Sequence, residues 1–244
     1  HEAVVKLLLE TGKVEADSKD SHSRTPLLYA IEKGHKAVVK LLLKTGKVGA
    51  NSKDSDGRTP LLHAAQYRHK AVVKLLLKTG KVGANSKDSD GRTPLLHAAQ
   101  YRHKAVVKLL LKTGKVEADF KDSQVEADFK DSNSQTSLLY AAQNGHKAVI
   151  KLLLKTNKVE ANSKDSDTWT LLLYAAQNGH EAVVKLLLET DKVEADSKDS
   201  NGQTPLLYAI KTGHKAVIKL LLEIGYVEAD SKDSDSQTLL SWVA

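Results

Sequence analysis

The chain has 244 residues, a formal net charge of +7 and an apolar fraction of 41% drawn mainly from Leu, Val and Ala, with no Met and no Cys. Without cysteine it forms neither disulfides nor thiolate metal centres, and a reducing, intracellular compartment (cytoplasm or nucleus) is expected. No apolar run reaches the roughly 18 residues that cross a bilayer, so no membrane partner is expected.

Histidines measure out the chain. His1, His35, His69, His103, His146, His180 and His214 each open a segment of the form H-[KE]-A-V-[VI]-K-L-L-L. Five of the six intervals are 34 residues and one, His103 to His146, is 43. The nine additional residues are a tandem copy, Val116–Gln124 (VEADFKDSQ) followed by Val125–Asn133 (VEADFKDSN), expected to lengthen a loop without breaking a helix. His35–Lys81 and His69–Lys115 are identical letter for letter. A fixed period of this length marks an array of stacked repeats. The boundaries expected are a half repeat over 1–19, six full repeats over 20–232 and a half repeat over 233–244. The missing initiator Met reads as a fragment, cut inside the repeat at both ends.

Within the unit Asp54–Lys87, Thr59-Pro60 predicts a helix start, with threonine as N-cap and proline at the first helical position, where its missing N–H costs nothing. Leu61, Leu62, Ala64 and Ala65 give this first helix a small-residue core face. Gly34, Gly145, Gly179 and Gly213 suit a left-handed stop. Arg68 and Arg102 stand at that same position and are expected to carry strain. The second helix begins at the histidine, and Ala71, Val72, Val73, Leu75, Leu76 and Leu77 cover enough of it to require contacts on several sides. Lys70, Lys74 and Lys78 take the wet face. Its stop is predicted at Gly12, Gly46, Gly80, Gly114 and Gly225, and at Asn157 and Asp191. A polar connector follows, turned at Asp56-Gly57 and Asp90-Gly91. Neither helix is long enough to stand alone in water, so stacking must stabilise both.

T-P-L-L-[YH]-A followed by G-H-K-A-V-V-K-L-L-L resembles the ankyrin repeat, whose signature is T-P-L-H-x-A. In its long tandem form the chain is similar to the arrays of fungal NACHT-type multidomain proteins. The resemblance implies an all-α solenoid of stacked antiparallel helix pairs, with projecting β-hairpin-like fingers and a concave face that binds other proteins. Three departures stand out. Leu28, Leu62, Leu96, Leu139, Leu173 and Leu207 replace the signature histidine, the connector is one residue longer than the family's, and Arg68 and Arg102 occupy the C-cap glycine position.

The helix-opening histidines lie one per repeat, which suits a structural role and gives no metal or acid–base cluster. His63 and His97 alternate with Tyr29, Tyr140, Tyr174 and Tyr208, so that position asks for a flat, semi-polar ring. The lysine strip on the second helices reads as a solvated face, because it lacks the interleaved aromatics that stack on bases. No nucleophile with a positioned base, phosphate loop or paired-carboxylate cleft is present, so no enzyme and no cofactor is expected. Residues that vary between repeats on the helix-1 and finger side are the candidate partner-binding set: Arg24, Arg58, Tyr67, Arg92, Tyr101, Phe120, Phe129, Asn144, Trp169 and Asn178. Exposed Tyr, Trp and Arg are the types that dominate protein interfaces. The expected function is a non-enzymatic scaffold for a protein partner. The alternative is head-to-tail self-association of the two open ends into a filament, a heterologous contact that need not close.

Overall fold

The computed structural model describes residues 2–116, 126–156, 159–190 and 193–223, with Ser241. Two kinds of helix alternate along it, and no strand is formed among the described residues. The first helices are α2 (Pro26–Glu32), α4 (Pro60–Gln66), α6 (Pro94–Gln100), α8 (Ser137–Gln143), α10 (Leu171–Gln177) and α12 (Pro205–Lys211). The second helices are α1 (Glu2–Glu10), α3 (Lys36–Lys44), α5 (Lys70–Lys78), α7 (Lys104–Val116), α9 (Lys147–Leu154), α11 (Glu181–Leu188) and α13 (Lys215–Glu223).

Each first helix starts where the threonine dictates. The hydroxyls of Thr25, Thr59, Thr93, Thr136, Thr170 and Thr204 accept the amide three residues on, at 3.3–3.4 Å. This satisfies one of the orphan donors of a helix N-terminus, and it persists where Ser137 and Leu171 replace the proline. Each first helix also ends as expected, in the left-handed region: Gly34, Gly145, Gly179 and Gly213 have φ of 71°, 70°, 68° and 73°.

The chain forms two compact units, His1–Glu126 and Ala127–Ala244, and the division falls inside the nine-residue duplication. In the first unit α2, α4 and α6 stack side by side, and α3, α5 and α7 pair with them in a second layer. In the second unit α8, α10 and α12 stack in the same way beneath α9, α11 and α13. The cores are built from the predicted positions. Leu61, Leu62, Ala64 and Ala65 are wholly buried, as are Leu138, Leu139, Ala141 and Ala142. On α5, Val72, Val73 and Leu76 are buried, Leu75 and Leu77 are half-buried, and Ala71 is exposed beside Lys70 and Lys74. The apolar face is therefore narrower than the sequence suggests.

Successive finger turns are joined through the backbone: Ser55 N–H donates to His22 O at 2.9 Å, Ser89 to Asp56 O at 3.0 Å, and Ser166 to Asn133 O at 3.1 Å. One predicted boundary is corrected. α7 does not stop at Gly114 but continues to Val116. Glycine permits a left-handed stop without imposing one, and within a helix it costs only about 1 kcal/mol relative to alanine. The stops predicted at Asn157, Asp191 and Gly225 lie outside the described residues, as does Phe120 with most of the first nine-residue copy.

Candidate functional site

A carboxylate sits at the base of every described finger. Asp20, Asp54, Asp88, Asp131, Asp165 and Asp199 each accept two backbone amides on Oδ1, from the residues two and four positions later, at 2.8–3.1 Å. That holds the turn closed around Ser23, Gly57, Gly91, Ser134, Thr168 and Gly202, all with positive φ. Oδ2 faces the first helix nine residues on. It accepts from Tyr29 Oη at 2.7 Å, His63 Nε2 at 2.7 Å, His97 Nε2 at 2.9 Å, Tyr140 Oη at 2.7 Å and Tyr208 Oη at 2.8 Å, and it also pairs with Tyr174.

The flat, semi-polar ring expected at this position is thus a clasp between finger and helix. Sequence reading named the ring and missed its partner, although K-D-S recurs nine residues ahead of it in each repeat. The electrostatics follow. Burial and the Asp165 hydrogen bond push the Tyr174 hydroxyl above its ordinary range, and burial with the Asp199 hydrogen bond does the same to Tyr208. Burial opposes ionisation of Asp88, but the His97 and Arg92 hydrogen bonds outweigh it and hold the carboxyl below its usual value. The leucines at the adjacent position, such as Leu62 and Leu139, are core residues.

A second set of rings joins repeat to repeat. His69 Nε2 lies 3.0 Å from Glu32 O, His103 2.7 Å from Gln66 O, His180 2.9 Å from Gln143 O and His214 3.0 Å from Gln177 O. Each of these four histidines therefore donates to the carbonyl at the end of the first helix one repeat earlier. Among the described residues no cluster of three His, Asp or Glu could hold a metal.

The candidate partner-binding residues divide accordingly. Tyr67 and Tyr101 are 40% and 45% exposed, comparable to Tyr29 at 41%, but the Tyr29 hydroxyl is taken by Asp20. Each is flanked by two imidazoles: Tyr67 lies 6.1 Å from His63 and 6.4 Å from His69, and Tyr101 lies 6.3 Å from His97 and 6.2 Å from His103. Arg24 bonds Asp20 and Tyr29, Arg58 bonds Asp56, and Arg92 bonds Asp88 and Asp90. Asn144 and Asn178 turn back to cap Tyr140 O and Tyr174 O at 2.8 and 2.9 Å. Trp169 is half-buried, its ring 5.0 Å from Tyr174 and 4.6 Å from Tyr208. Phe129 is half-buried. Tyr67 and Tyr101 share one unit with Arg24, Arg58 and Arg92; Asn144, Asn178, Trp169 and Phe129 belong to the other.

A family model described as ankyrin repeats (3 copies) matches residues 1–50, 46–122, 116–199 and 190–244. The chain belongs to the ankyrin-repeat family. Ankyrin repeats are in general protein–protein interaction modules and typically carry no catalytic activity. No curated protein matches this ankyrin chain.

Proposed function

We propose that this ankyrin array is a non-enzymatic scaffold that binds a protein partner through the surface made by its first helices and fingers, centred on Tyr67 and Tyr101. The observation that carries this reading is the contrast between rings. His63, His97, Tyr140 and Tyr174 are buried against aspartates, whereas Tyr67 and Tyr101 project from the same helical layer with no hydroxyl partner among the described residues. Rigid, half-exposed tyrosine supplies large contact area at little entropic cost, because its stacked neighbours have already fixed the ring.

Capture from a cell lysate tests it, comparing wild type with Tyr67→Ala/Tyr101→Ala and with Lys74→Ala/Lys108→Ala on the second helices. A set of proteins lost with the tyrosines and retained with the lysine variant is expected. Identical capture by all three would overturn the assignment.

A further inference from the structure

Five arginines precede the end of α7, and they fall into two classes. Arg24, Arg58 and Arg92, at the fingers, are each ion-paired with an aspartate of their own turn. Arg68 and Arg102 are exposed and form no ion pair among the described residues. Each follows an exposed tyrosine and precedes a stitching histidine, giving Tyr67-Arg68-His69 and Tyr101-Arg102-His103. The corresponding residues in other repeats are Lys33-Gly34, Asn144-Gly145, Asn178-Gly179 and Thr212-Gly213.

The position is hostile to a side chain. Arg68 and Arg102 have φ of 63° and 60°, the left-handed region that disfavours any residue with a Cβ. At the equivalent glycines a Cβ would lie 2.6 Å from His69 Cε1 at Gly34 and 2.6 Å from His214 Nδ1 at Gly179. An arginine is held there twice where glycine would be easier. Strain of this kind collects at functional sites. The stretch that carries the two arginines has a matching overall sign, partly from the lysines of its second helices: residues 1–116 contain 23 Lys and Arg against 10 Asp and Glu. The remainder of the chain is net acidic, since the whole carries only +7.

Resting on the reading above, we infer that the partner presents an acidic, extended peptide segment, whose carboxylates are taken by Arg68 and Arg102 while Tyr67 and Tyr101 pack against its apolar parts. The guanidinium is a planar fork of five donors and binds carboxylate in a bidentate way, which a lysine cannot do. Helices of neighbouring repeats stack about 8–10 Å apart. A peptide in the extended polyproline II conformation advances roughly 3.1 Å per residue with three residues per turn, so carboxylates three residues apart share a face and would meet successive repeats.

The test uses fluorescein-labelled octaglutamate and fluorescence polarisation, with the full chain as wild type, Arg68→Gly/Arg102→Gly and the charge-matched Lys74→Ala/Lys108→Ala. The glycine variant relieves strain, so its melting temperature should rise by roughly 2–4 °C and a loss of binding cannot be ascribed to unfolding. Octaglutamate binding should weaken at least tenfold in the arginine variant and by less than threefold in the lysine variant. Equal weakening in the two variants, loss only with the lysines, or no binding by wild type would each overturn the inference. If lysate capture still depends on Tyr67 and Tyr101 in any of those cases, the protein-binding surface stands and only its preference for acidic segments fails.

Discussion

Nε2 of His97 lies 2.9 Å from Oδ2 of Asp88, while Oδ1 of the same carboxylate accepts the amides of Asp90 at 3.1 Å and Arg92 at 2.8 Å. One buried group therefore fastens the finger turn to the first helix. Asp88→Ala strands two backbone donors and a ring N–H, and it is expected to cost about 3 kcal/mol, at the upper end for buried unsatisfied groups. Tyr140→Phe keeps the ring but removes the hydroxyl that reaches Asp131, and about 1 kcal/mol is expected. Urea unfolding followed by circular dichroism measures both. Equal effects from the two substitutions would contradict the clasp.

The same pairing makes stability depend on pH. Burial holds the His97 imidazole below its ordinary range despite the opposing hydrogen bond and charge of Asp88, and burial lowers His103 despite its bond to the Gln66 carbonyl. Unfolded histidine titrates near 6.5, so as pH falls the unfolded chain takes up protons before the folded one. The stabilisation is complete above about 6.5 and is lost as pH falls through that value toward the folded pKa values. The melting temperature should be level from about pH 8 to 7 and fall toward pH 5. His97→Tyr, supplying the ring that other repeats use, should reduce the fall; a level profile in wild type would contradict the account.

Gly179 is constrained by its φ of 68° and by His214, whose Nδ1 would stand 2.6 Å from a new Cβ. Gly179→Ala is expected to destabilise by about 2 kcal/mol, from left-handed backbone strain and displacement of the ring that donates to Gln177 O. Thermal denaturation measures it, and a neutral result would show that the histidine stitch yields easily.

The repeat period, the threonine caps, the glycine stops and the core leucines were all legible in the sequence, because each is a local rule written in adjacent residues. Arg68 and Arg102 were legible too, as non-glycine residues in a glycine slot. The clasp between Asp54 and His63 was not, although both residues recur in register, because hydrophobic period reveals which face is buried and not which polar atoms meet across a turn. Nor was the reach of His69, His103, His180 and His214 to a carbonyl 37 residues earlier. That bond exists only once two repeats are stacked. The continuation of α7 past Gly114 was not legible, because a glycine tolerates positive φ without requiring it.

Trp169 contacts the rings of two successive repeats, Tyr174 and Tyr208. Aromatic pairs contribute about 0.5–1.5 kcal/mol beyond area burial, so Trp169→Ala should lower the stability of the second unit by about 1–2 kcal/mol. Urea unfolding followed by circular dichroism checks this. An unchanged midpoint would assign Trp169 to the surface alone.

The central claim is that a protein partner is engaged on the face of Tyr67 and Tyr101 rather than on the lysine face of the second helices. Photo-crosslinking tests it most directly, with benzoylphenylalanine placed singly at positions 67, 101, 74 and 108 and irradiated in cell extract. The account predicts discrete cross-linked species common to positions 67 and 101 and absent from 74 and 108. Cross-links confined to 74 and 108, or the same from all four positions, would contradict it.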